Sequence, residues 1–121
     1  MNSLYKINIA KEFSKVPLGR FPDDSEFNGT RFREEWLVPA LSKSECLEIC
    51  FDGAEGYGSS FLEESFGGLV RLCGYSSAEL ATKLVFVSDE DPTLVDEVRQ
   101  YIAEAVVECD VVSRAPRPGV K

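Results

Sequence analysis

Apolar and polar positions alternate through LYKINIA, Leu4 to Ala10, with the period of two that marks a half-buried strand. KVPLGRF, Lys15 to Phe21, reads as a weaker second strand, with Pro17 placing it at an edge and KEFS closing a hairpin with the first. FPDDSEFNGT is a loop, in which Asn28-Gly29 is a turn pair and Thr30 a helix cap. Phe32, Trp36, Leu37, Ala40 and Leu41 then fall on one helical face. Pro39 lies inside that pattern and predicts a kink or an early stop near Leu37. Arg31, Arg33, Glu34 and Glu35 fall on the other face and read as solvated surface.

CLEICFD, Cys46 to Asp52, is nearly continuous in apolar residues, the pattern of a central strand covered on both faces. From Ser60 a helical stripe runs through Leu62, Phe66, Leu69, Val70 and Cys73 and stops at Gly74. Gly67-Gly68 inside it costs about 1 kcal/mol per glycine against alanine, which points to close packing on the sheet or on a neighbouring helix. Ser76 and Glu79 have capping-box spacing at the head of a short helix. Leu84 to Ser88 is another apolar strand. Asp91 as cap and Pro92 as first helical residue open the clearest helix, with Leu94, Val95, Val98, Ile102, Ala105 and Val106 as its buried stripe. The expectation is an α/β fold: one domain over residues 1–109, a mixed, partly parallel sheet of about four strands, and helices packed against it. Residues 110–121 read as a disordered basic tail.

Charge and composition narrow the function. The net charge is −8 and the body holds no cluster of Lys and Arg, so nucleic acid is not an expected partner. The tail differs, carrying Arg114, Arg117 and Lys121 and no acid, and would alternatively serve as a short basic recognition segment. No apolar run has membrane-spanning length and no secretory leader is visible, so a cytoplasmic location is expected. Cys46, Cys50, Cys73 and Cys109 read as reduced core residues. A strand would hold Cys46 and Cys50 about 13 Å apart, too far to share a zinc ion, and no metal or cofactor is expected. The chain has no histidine, which excludes Ser-His-Asp and Cys-His catalysis, His-ligated metals and histidine phosphorelay.

In an open α/β sheet the loops leaving the carboxyl ends of the strands carry the site. DGAEGYGSS and SDEDP are those loops, and parallel strands would bring Asp52, Ser59, Ser60, Asp89 and Asp91 to one edge. Ser60 and Glu63 match a capping box. Ser59 stands just before the helix, where free N–H groups and the dipole would stabilise a phosphate, so the serines are a cap or a modification site. GYGSSF begins like a dinucleotide loop, but Phe61 holds the place of its third glycine, and no P-loop motif occurs. Glu63-Glu64 and Asp89-Glu90-Asp91 are paired acids suited to acid–base work, and Asp52, Asp89 and Asp91 could hold magnesium. They define the rival reading, a small enzyme or nucleotide- and magnesium-binding protein. Tyr57 is an exposed anchor for a partner or a ring lying over the sheet edge.

The order strand, short glycine loop, Ser-Ser, apolar helix resembles the STAS domains of anti-sigma-factor antagonists, in which a serine at that step is phosphorylated by a partner kinase. Gly19-Arg20, NGTRFREE, LVPAL (Leu37 to Leu41) and FDGAEGYGSSFLEESFGGL together resemble more closely a bacterial STAS-like family of unknown function, over most of residues 4 to 108. Gly58 stands where the antagonists have Asp, and Phe61 where they have Gly. The resemblance implies a small α/β sandwich and a non-enzymatic regulatory module with a protein partner, a serine kinase of the histidine-kinase-like ATPase type. Ser59 and Ser60 match the phosphoacceptor step. The expected docking surface is the loop from Gly53 to Ser60 and the start of the next helix, with Asp52, Tyr57, Gly58, Phe61 and Glu64 as partner-binding candidates.

Overall fold

The computed structural model describes residues 4–112. The chain forms β1 (Leu4–Asn8) and a one-turn α1 (Ile9–Glu12), then a first helical arm. That arm is α2 (Gly29–Phe32), a π-helical turn (Arg33–Leu37) and α3 (Val38–Lys43). After β2 (Cys46–Cys50) comes a second arm of the same build: α4 (Ser59–Leu62), a π-helical turn (Glu63–Gly67) and α5 (Gly68–Arg71). α6 (Ser77–Lys83), β3 (Leu84–Val87) and α7 (Thr93–Val112) complete the domain. α7 thus reaches into the segment read as a tail, and residues 113–121 lie outside the described residues.

Among the described residues the sheet has three strands in the order β1-β2-β3, all parallel, rather than four in a mixed sheet. Lys15 to Phe21 is not a strand. Gly19 takes φ +85°, which breaks an extended run. The segment's backbone instead bonds to several partners: Leu18 N–H to the Phe27 carbonyl, and the carbonyls of Lys15, Pro17 and Gly19 to the N–H groups of Glu55, Gly58 and Gly29. No hairpin forms either, because β1 ends at Asn8, whose side chain accepts from Lys11 N–H and caps α1.

Asn28, not Thr30, caps the first arm, accepting from Arg31 N–H at 2.9 Å. Pro39 neither stops nor ends that arm. The π-helical turn just before it, closed by Val38 N–H on the Arg33 carbonyl, widens the helix where the proline ring would otherwise press on the preceding turn. Ser76 and Glu79 form the expected capping box. α7 begins at Thr93, with the Asp91 carboxylate accepting its N–H and hydroxyl.

Register divides the sheet into two unlike faces. Ile7 pairs with Ile49 and Leu47 with Leu84, and these side chains are 0–1 % exposed. They join one core cluster to which every helix contributes. Its centre is aromatic: Phe13, Phe32, Phe61 and Phe66 pack with ring centroids 5.0–6.3 Å apart. On the opposite face Lys6, Glu48 and Val85 stand in register. That face is more open, with Leu4 55 % and Val85 42 % exposed, and β2 is fully buried on one side and only half-buried on the other. Cys46 and Cys50 are half-buried and Cys73 is exposed, so the three cysteines with described side chains are free thiols outside the core. The side chain of Cys109 lies outside the described residues.

Candidate functional site

Because the strands are parallel, the loops after β2 and β3 lie at one edge. They are clasped together. Asp52 Oδ1 accepts from Glu90 N–H at 2.9 Å and Oδ2 from Asp89 N–H at 3.2 Å. Glu90 returns the contact, its Oε1 accepting from Gly53 N–H at 2.9 Å. Gly53 sits at φ +96°, a conformation that only glycine takes without strain. Asp52 and Asp91 are therefore backbone acceptors. A cleft of about 360 Å³ opens beside the clasp, over Tyr57, with Asp52, Glu55, Glu90, Asp91 and Glu97 around it and no Lys or Arg among the described residues. A phosphate would meet five carboxylates there, which disfavours the nucleotide reading. No group of three or more possible metal ligands occurs among the described residues.

Tyr57 takes the second of its two sequence readings. Its hydroxyl donates to the Phe51 carbonyl at 2.7 Å, and its ring stands edge-on to Phe51 at 5.4 Å. Burial raises its phenol pKa well above the ordinary value. Gly58, not Ser60, is the cap of α4, and it makes no side-chain cap bond. A Cβ on Gly58 would sit 3.0 Å from Leu18 Cδ1, so the glycine lets the segment 15–18 lie against the loop.

The two serines occupy different settings. Ser59 is exposed on the first turn and hydrogen-bonds the Tyr101 hydroxyl of α7, which in turn donates to Glu97 at 2.6 Å. Ser60 is half-buried. The hydrogen bonds of Asp52, Asp89 and Asp91 run between the two loops and within them, not to the serines, so the expected convergence extends to the loops alone.

The expected capping box at Ser60 is absent because Glu63 is engaged elsewhere, bonding Arg20 and Arg71. Burial pushes its carboxyl upward, but hydrogen bonds from Arg71 and Arg20 outweigh that and hold it below the usual range. Glu64 is 4 % exposed and pairs with Arg33, itself 3 % exposed, at 2.9 Å. Arg33 also donates to the Glu64 carbonyl at 2.6 Å. Phe61 is 0 % exposed. Phe61 and Glu64 are thus not partner-facing: the π-helical turn and the stripe of α4 direct both into the seam between the arms. Arg33, read from helical spacing as solvated, belongs to the same seam. The signal that could have located it was Gly67-Gly68, since a Cβ on Gly68 would lie 2.2 Å from Arg33 Nη1.

Sequence reading also missed the apolar side chains beside Ser59. Val16, Leu18 and Phe21 are 55, 56 and 51 % exposed. Their loop is held rigidly: Asp24 Oδ2 accepts from Arg20 and Phe21 N–H, and Ser25 Oγ donates to the Leu18 carbonyl at 2.6 Å.

The fold defines the class: a two-layer α/β domain in which two helical arms, each with a π-helical turn, pack on one face of a short parallel sheet. Residues 28–94 match the model of the STAS-like domain of unknown function (DUF4325), and the chain belongs to that family. The matched stretch contains both arms, the clasp and the two serines. No curated protein and no solved structure matches significantly. Among the described residues no helix is long and apolar enough to cross a membrane.

Proposed function

We propose that this chain is a non-enzymatic, cytoplasmic protein-interaction module that docks a partner through the carboxyl edge of its sheet. The docking surface is the loop from Gly53 to Gly58, the exposed start of α4 and the ridge of Val16, Leu18 and Phe21. Ser59 is the switching hydroxyl. Membership in a STAS-like family supports an interaction role in general. The observation that carries the reading is local: a rigid exposed apolar ridge adjoins, through the Leu18–Gly58 contact, an exposed serine on an uncapped helix start. Apolar side chains held rigidly at a surface lose little freedom on binding, which favours their use as anchors.

A phosphate on Ser59 adds about −1.5 to −2 charge. It would be received by free N–H groups of the first turn and would displace the bond to Tyr101, beside the carboxylate of Glu97. The partner in this reading is a serine kinase of the histidine-kinase-like ATPase type. Intact-mass measurement after incubation with a co-encoded kinase of that type should show one added phosphoryl group in the wild type and in Ser60→Ala, and none in Ser59→Ala. Kinase binding should fall at least tenfold in Leu18→Asp. Absence of phosphate transfer, with binding unchanged in both Ser59→Glu and Leu18→Asp, would sink the proposal.

A further inference from the structure

All-parallel sheets are found almost only with both faces covered, because their strands carry apolar residues on each side. This sheet is parallel throughout, and among the described residues its second face keeps Leu4 and Val85 exposed and Cys46, Glu48 and Cys50 only half-buried. On that face Lys6 of β1, Glu48 of β2 and Val85 of β3 form one register row. Above and below Glu48 stand Cys46 and Cys50, both half-buried and both free. The row holds one cation, one anion and one exposed aliphatic side chain, and among the described residues neither Lys6 nor Glu48 has an ion-pair partner.

We infer that the open face is a self-association surface and that its occupant is a second copy of this chain, packed sheet to sheet. The charges decide the partner and the geometry. A twofold axis lying between the two sheets, parallel to the strands and midway between β1 and β2, sets β1 of each copy over β2 of the other. Lys6 of one copy then faces Glu48 of its mate, twice, while Cys46 falls against Leu4 and Cys50 against Asn8 of the mate's β1. An axis over β2 itself would oppose Glu48 to Glu48, and antiparallel stacking centred on β1 would oppose Lys6 to Lys6; like charges so placed are unfavourable. The surface is thus complementary to itself in one arrangement, as a closed dimer requires. This goes beyond the docking reading, which uses the edge of the sheet and the ridge on Leu18, and does not depend on it.

Size sets the strength. Strands about 4.8 Å apart and five residues long at about 3.3 Å each give a patch well below the roughly 800 Å² per partner of a stable complex. The dimer is therefore weak and concentration-dependent. Sedimentation velocity from about 1 µM to about 1 mM should show a monomer converting to a dimer, with a dissociation constant in roughly the upper micromolar range. Lys6→Glu and Glu48→Lys should each weaken association at least tenfold, and the double exchange should restore it. Leu4→Asp, which sets a charge against Cys46 of the mate, should leave the chain monomeric at every concentration. All three positions are exposed or half-exposed, so thermal melts of the variants should match the wild type. Leu18→Asp, on the separate ridge, should dimerise normally.

A wild type that stays monomeric at about 1 mM overturns the inference, and it does so equally if some other polypeptide then proves to cover the face. So does association that survives Leu4→Asp, or is lost in Leu18→Asp, or is not restored by the double exchange. None of these results bears on phosphorylation of Ser59, so failure here and failure of the docking proposal are separable.

Discussion

Two charged clusters in this domain use the same side-chain chemistry in opposite settings. In the seam between the helical arms, Arg33 and Glu64 are 3 and 4 % exposed, and Arg20, Arg71 and Glu63 close around them. At the carboxyl edge, Asp52 and Glu90 accept backbone N–H groups in contact with water. A buried pair is expensive to unmake, because the survivor is stranded in low dielectric, while an exposed one is screened and cheap. The seam therefore behaves as foundation and the clasp as an adjustable joint. This division places the part of the molecule that can change at the edge where the serines and the apolar ridge lie.

Breaking the seam should give the largest effect. Arg33→Ala leaves Glu64 buried without its main partner and should lose about 3–5 kcal/mol of unfolding free energy in urea titration. The companion test is Arg33→Met with Glu64→Leu. If the loss comes from a stranded charge rather than from missing contacts, the double variant should recover most of it. A double variant as unstable as the single one would show that the ion pair is a net stabiliser and that the contrast with the clasp is drawn wrongly.

Gly29→Ala attacks the same seam sterically. Its Cβ would lie 2.8 Å from the Phe61 carbonyl oxygen and 2.9 Å from Glu64 Cβ, and backbone cannot swing aside. A loss of about 1–3 kcal/mol is expected, read from the same denaturation curves. Asp52→Ala should cost less, about 1 kcal/mol, since its bonds are solvent-exposed. Its informative readout is local. Hydrogen exchange at the amides of Asp89 and Glu90 should quicken while core amides of β2 keep their protection. Uniform quickening across the sheet would mean that the clasp is part of the foundation after all.

Most of the fold was legible because periodicity reports burial directly. β1, β2, β3 and α7 follow from their patterns, and the capping box at Ser76 follows from spacing alone. The illegible parts depended on partners distant in sequence. Lys15 to Phe21 has an edge strand's composition, but its backbone bonds go to Phe27, Gly29, Glu55 and Gly58, and no local rule names those. Glu63 fits a capping box until Arg20 and Arg71 arrive from 43 and 8 residues away. Arg33 and Glu64 illustrate the same limit. A 3.6-residue wheel assigns faces correctly only where the helix is α, and both residues lie in π-helical turns that change the angular spacing of their neighbours. At the candidate site, the sequence located the loops and serines, while which serine is exposed and what lies beside it required the tertiary packing.

The smallest effect joins the two regions. Tyr101 donates to Glu97, and that bond, with burial adding to it, pushes its phenol from 10.0 up to about 12. A group whose folded pKa is raised contributes stability below its unfolded pKa and loses that contribution as pH climbs through the folded value. Wild type should thus exceed Tyr101→Phe by a few tenths of a kcal/mol below about pH 10, with the gap closing towards about pH 12. The hydrogen bond from Ser59 acts in the opposite sense, lowering the phenol by favouring its ionised form. Ser59→Ala should therefore move Tyr101 ionisation to still higher pH in a spectroscopic titration. A phosphate on Ser59 should do the same more strongly, since it removes the donor and adds negative charge. A Tyr101 titration indifferent to Ser59 would mean that the start of α4 and the face of α7 are uncoupled, and that whatever happens at the serine stays at the edge.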